Sequence, residues 1–113
     1  KVAVASSKNQ PMLEIGLRDN NLIGVLDAYA GRIDEAATDK ITAIAHVMRK
    51  LGFDASESVM VGDRRFDMEA SFPNQIPCIG VLYGKTTNKQ ELIDAGAVAI
   101  VDTVEDLHHV LLA

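Results

Sequence analysis

Val59-Met60-Val61-Gly62-Asp63-Arg64-Arg65-Phe66-Asp67 is the stretch on which the reading of the fold turns. An unbroken apolar run, with no polar alternation, suits a strand covered on both faces, as in a parallel sheet. Gly62 lets the backbone tighten after that run. Beyond it, Met68 and Ala70 have the spacing of a helix. A strand that passes through a tight turn straight into a helix is the repeating unit of an α/β protein.

The same unit recurs on either side. Four more short apolar runs, Val2–Ala5, Gly24–Asp27, Cys78–Leu82 and Val98–Val101, alternate with helical patterns. The clearest helix carries Ile41, Ile44, Ala45, Met48 and Leu51 on one stripe, with Thr38 placed to cap its start and Gly52 to end it. Weaker helices follow Lys8 (Met12, Leu13, Ile15, Leu17), Thr87 (Leu92, Ile93) and Thr103 (Leu107, Val110, Leu111). The order β-α-β-α-β-α-β-α-β-α predicts a doubly wound, Rossmann-like, three-layer α/β/α fold with a mostly parallel sheet. No linker or repeat interrupts it, so residues 1–113 are expected to form a single domain.

Composition narrows the function. With 48% hydrophobic and 24% charged residues the chain is an ordinary folded domain. A net charge of −5, no Trp and no basic stripe argue against a nucleic-acid partner. A small anionic substrate would need local positive charge from a few placed groups. The single cysteine, Cys78, lies in an apolar run and fits a buried thiol in a reducing, cytoplasmic setting. No apolar run approaches the roughly 20 residues of a membrane span. His46, His108 and His109 lack paired metal spacing, and Met12, Met48, Met60 and Met68 fit core faces.

In a doubly wound sheet, ligands bind where strand ends lead into helices, and three polar signatures stand there. Ser6-Ser7-Lys8 follows the first strand: Ser6 either caps a helix or, with the Ser7 backbone N–H, faces a phosphate oxygen, and the two roles are compatible. Lys40 opens a helix, where a cation opposes the macrodipole at a cost of about 0.3–1 kcal/mol unless an anion is nearby. A solvated pairing with Asp39 is the plain alternative. Asp63 and Asp67, four apart, either converge on one hard cation such as magnesium or serve as a helix cap and a surface charge. Arg64 and Arg65 are surface charges or steer an anion.

Taken together, Val2-Ala3-Val4-Ala5-Ser6-Ser7-Lys8, Asp39-Lys40, the Gly62–Asp67 turn, Gly80-Val81-Leu82-Tyr83-Gly84 and Glu91-Leu92-Ile93-Asp94-Ala95-Gly96-Ala97 resemble the haloacid dehalogenase-like (HAD-like) superfamily, in its phosphoglycolate phosphatase-like branch. The resemblance implies a magnesium-dependent hydrolase of small phosphomonoesters that works through an aspartyl-phosphate. It implies that the Ser6 hydroxyl binds the transferring phosphoryl group and that Lys40 neutralises its charge. It further implies that Asp63 binds Mg2+ and that Asp67 binds it or orients its shell.

The superfamily's first motif, an Asp-x-Asp carrying the nucleophile, has no counterpart in the chain. That segment and a helical cap are expected upstream of Lys1, because the short stretch between Ser6 and Lys40 leaves no room for a large lid. The missing strand would be the sheet's centre, so these residues alone are expected to be aggregation-prone. A sugar phosphomutase, a nucleotidase or a non-catalytic binding relative would share these motifs. A receiver-type phospho-acceptor would not, because there the acidic cluster precedes the hydroxyl and the lysine comes last.

Overall fold

The computed structural model describes residues 1–32, 40–85 and 87–112. Along them run β1 (Ala3–Asn9), α1 (Gln10–Asp19), β2 (Ala28–Arg32), α2 (Lys40–Leu51), β3 (Met60–Gly62), α3 (Arg65–Ser71), β4 (Cys78–Val81), α4 (Lys89–Asp94), β5 (Ala99–Val101) and α5 (Val104–Leu112). This is the α/β alternation expected from the sequence, and every strand pair is parallel. By its internal contacts the chain divides into two compact units, Lys1–Asp54 and Ala55–Ala113. No helix among the described residues is long and apolar enough to cross a membrane.

In the first unit β1 pairs with β2, with Ala3 opposite Ala28 and Ala5 opposite Ala30, until the register shifts between Ala5 and Asn9. Strand alternation turns Ala3, Ala5, Ala28 and Ala30 to one face, where they pack against Ala43, Val47 and Leu51 of α2. Four alanines let the helix lie close to the sheet. Gly31 continues this small-residue strand, because a side chain there would run into the Lys8 carbonyl. Val4, on the opposite face, lines a cavity of about 330 Å³ with Leu13, Gly16 and Leu17 of α1.

Three expectations change in this unit. The second strand is Ala28–Arg32, not Gly24–Asp27. Val25 stays 68% exposed, and Asp27 instead closes the entry to the sheet, its backbone N–H donating to Val2 O and its carboxylate accepting from Val2 N, both at 2.8 Å. The buried face of α2 is Ala43, Ile44 and Val47, rotated from the predicted stripe, although Ile44 lies on both. Gly52 ends the helix as expected, at φ 73° with its N–H on Met48 O. Finally, α1 buries Leu13 and Leu17 but leaves Met12 and Ile15 more than half exposed, so Met12 is not a core residue.

The second unit is a three-stranded sheet in the order β3-β4-β5. Central β4 is buried along its whole length, and alternation divides its side chains between two layers. Cys78 faces Met68 of α3 and Leu92 of α4, with Met60, Leu82 and Ile100 packed around them. Ile79 and Val81 face the other way, with Val101, Val61 and Leu107 of α5. Met68 and Leu92 are almost fully buried, each worth roughly 1.5–3 kcal/mol of apolar transfer. Gly80 lets α4 approach, since a Cβ there would come within 2.8 Å of Leu92 Cδ1. The apolar runs at Val59, Cys78 and Val98 thus mark the three strands to within a residue or two. Cys78 is a buried thiol, as expected.

Candidate active site

Lys40, Asp63 and Asp67 sit at the end of a strand or in the first turn of a helix. Ser6 lies within β1 rather than at its end, because the strand continues through Ser7 and Lys8 to Asn9. It is not the helix cap. Asn9 caps α1, its Oδ1 accepting from Met12 N at 2.9 Å. Ser6 Oγ instead accepts the Lys8 N–H at 3.1 Å, across the stretch where the strand register shifts. A hydroxyl that accepts from the backbone keeps its own proton to donate. Half-buried Ser6 can therefore act as a fixed donor to an anion, while Ser7 is exposed. Lys40 is the first residue of α2 and is half-buried; the first turn of that helix carries no acidic residue. Thr38 and Asp39, the predicted cap and charge partner, lie outside the described residues.

In the second unit the structure brings Asp63 and Asp67 together. Asp63 follows the last residue of β3, and Asp67 is the third residue of α3. The Asp67 carboxylate turns back under the turn, its Oδ2 accepting the backbone N–H groups of Asp63 at 3.0 Å and Arg64 at 3.2 Å. This satisfies donors that the start of a helix leaves without intrahelical partners. Asp67 is only 4% exposed, so it is not the surface charge of the plainer sequence alternative. Nor does Asp63 cap the helix; the capping carboxylate is that of Asp67.

Gly62 is needed for this arrangement, since a Cβ on it would overlap the Asp67 side chain. Outward from the turn, exposed Arg64 and Arg65 place their guanidinium carbons 5.1 Å and 5.0 Å from the ring centroid of exposed Phe66. Gly84, after β4, lies so near Asp63 that a Cβ on it would stand 3.0 Å from Asp63 Oδ2. Its signal in the sequence is a glycine closing the stretch Gly80–Gly84, which gives no hint of what it approaches.

The donor set suits a hard cation. Magnesium takes oxygen ligands, usually one or two carboxylates with waters and substrate phosphate completing the set. Asp63 offers a half-buried carboxylate at a strand end on a backbone held by Asp67. Among the described residues no group of three or more His, Cys, Asp or Glu side chains forms a closed metal cage, and a magnesium site does not require one.

The chain is similar to known proteins in sequence and in fold. A family model described as haloacid dehalogenase-like hydrolase matches residues 1–81. A crystal structure of a predicted phosphatase from Clostridium acetobutylicum superposes over 97% of the chain with a TM-score of 0.89 at 33% identity. A haloacid dehalogenase-like family hydrolase from Streptococcus pneumoniae superposes over 96% with a TM-score of 0.87 at 14% identity, a likeness of fold alone. In sequence, 56 residues, half of the chain, are 36% identical to a 5'-nucleotidase of Pseudomonas aeruginosa. The chain spans 51% of the length of each of these two solved structures, and the matched segment covers 25% of the nucleotidase.

Proposed function

The chain belongs to the haloacid dehalogenase-like hydrolase family, and from that premise we propose that the whole protein is a magnesium-dependent phosphatase of small phosphomonoesters, phosphoglycolate first among them, acting through an aspartyl-phosphate. The observation that carries this reading is the Gly62–Asp67 turn, in which one carboxylate is spent on holding the backbone of another. A buried Asp that fixes a neighbouring Asp at a strand end is economical where that second carboxylate must meet a cation in a set position.

In the first unit the Ser6 hydroxyl and the Ser7 N–H would hold phosphate oxygens, and the Lys40 ammonium would offset charge as it builds on a phosphoryl group. Asp63 would hold the magnesium, and Asp67 would orient Asp63 through its backbone. Bound there, the metal would supply charge neutralisation for phosphoryl transfer. No aspartate of residues 1–113 is assigned the attacking role. We place the protein in the cytoplasm, where the buried Cys78 thiol stays reduced, and treat both units as parts of one core domain.

The stretch of identity with a 5'-nucleotidase favours a second substrate class, nucleoside monophosphates. A panel decides between the two. Full-length protein is given phosphoglycolate, a hexose phosphate and a nucleoside 5'-monophosphate with magnesium, and both free phosphate and isomerised sugar phosphate are measured. Release fastest from phosphoglycolate is expected. Release fastest from the nucleotide establishes the second class, and isomerisation without release overturns the hydrolase reading in favour of a mutase.

A further inference from the structure

The loop after β4 is tightly held. Leu82 donates its N–H to Val101 O at 3.0 Å, and Lys85 closes a turn onto Leu82 O at 3.1 Å. The left-handed residue of that turn is Lys85, at φ 59°, while Gly84 has no positive φ. Backbone conformation therefore does not account for a glycine at position 84; proximity does. A Cβ there would stand 3.0 Å from Asp63 Oδ2, 3.6 Å from Asp63 Cβ and 3.8 Å from Asp63 Cγ. Only the first distance is tighter than ordinary van der Waals contact, so the group that must yield is the terminal oxygen of the carboxylate. The Asp63 backbone cannot retreat instead, because Asp67 Oδ2 holds its N–H and Gly62 packs directly against Asp67.

We propose that Gly84 is a positioning residue for Asp63: by carrying no side chain it leaves the carboxylate in the orientation that receives the cation, and the turn Leu82–Lys85 serves as the wall that limits its rotation. The inference rests on the reading of Asp63 as a magnesium ligand. A small group at Gly84 thus acts on the metal through Asp63, without touching it.

The test is calorimetric titration of magnesium into the full-length protein, comparing the natural sequence with Gly84→Ala, Asp63→Asn and, as a control, Gly24→Ala, where nothing lies within 4 Å of an added Cβ. Gly84→Ala is expected to bind magnesium about tenfold more weakly, the scale on which supporting residues tune metal affinity, with Gly24→Ala unchanged. If Gly84→Ala binds as tightly as the natural sequence while Asp63→Asn does not bind, the role of Gly84 is overturned and the metal reading stands. If Asp63→Asn binds normally, the metal reading itself fails. Should Gly84→Ala melt too low for titration, the double variant Asp63→Ala/Gly84→Ala decides. Recovery of the melting temperature supports a clash with the carboxylate, and no recovery overturns it.

Discussion

Asp67 shows how one residue can be visible in the sequence while its work is not. The four-residue spacing from Asp63 is readable, and so is the hard-cation chemistry of two carboxylates, but nothing in the spacing says which oxygen turns inward. In the structure Asp67 is buried and takes two backbone N–H groups, which leaves the two aspartates with unequal tasks. The physical cause is Gly62, whose missing side chain makes room for the Asp67 carboxylate. Gly62→Ala is accordingly expected to destabilise the protein by about 1–3 kcal/mol, the usual cost of overfilling a packed site. Urea unfolding of the full-length protein measures it, and a midpoint equal to that of the natural sequence would show that the turn has slack the structure does not display.

At the scale of elements, legibility followed side-chain character. The runs Val59–Val61, Cys78–Leu82 and Val98–Val101 are rich in β-branched residues and became strands close to where their pattern put them. The strand Ala28–Arg32 was displaced, because Ala-Tyr-Ala-Gly-Arg carries no β-branched signal; its small side chains serve to admit α2. The predicted face of α2 was rotated because apolar residues lie all round that helix: Ala43 and Val47 reach the alanines of the sheet, and the stripe of Ile41, Ala45 and Met48 was equally apolar in the sequence.

The cap of α1 is a third instance, since both Ser6 and Asn9 are good caps and only the length of β1 chooses Asn9. That choice separates two variants. Asn9→Ala is expected to cost about 1 kcal/mol of stability with turnover little changed. Ser6→Ala is expected to lower phosphatase turnover by roughly a hundredfold, the scale of losing one donor to a developing charge, with a smaller loss of stability. Thermal unfolding and steady-state kinetics on both variants check the pair, and a reversed pattern would return Ser6 to a structural role.

For the whole molecule, the five-fold alternation of strand and helix and the motifs on it were enough to place the chain in its family. Substrate choice was not readable: the roles proposed for Ser6, Lys40 and Asp63 all concern the phosphoryl end, and that end is common to every phosphomonoester. The most direct measurement is phosphate release from an aryl phosphate by the full-length protein, with magnesium and with chelator, beside Asp63→Asn. The account predicts turnover that requires magnesium and falls by roughly a hundredfold or more in the variant, at least the loss expected when a metal site is damaged. Turnover that survives chelation, or that Asp63→Asn leaves intact, would contradict it.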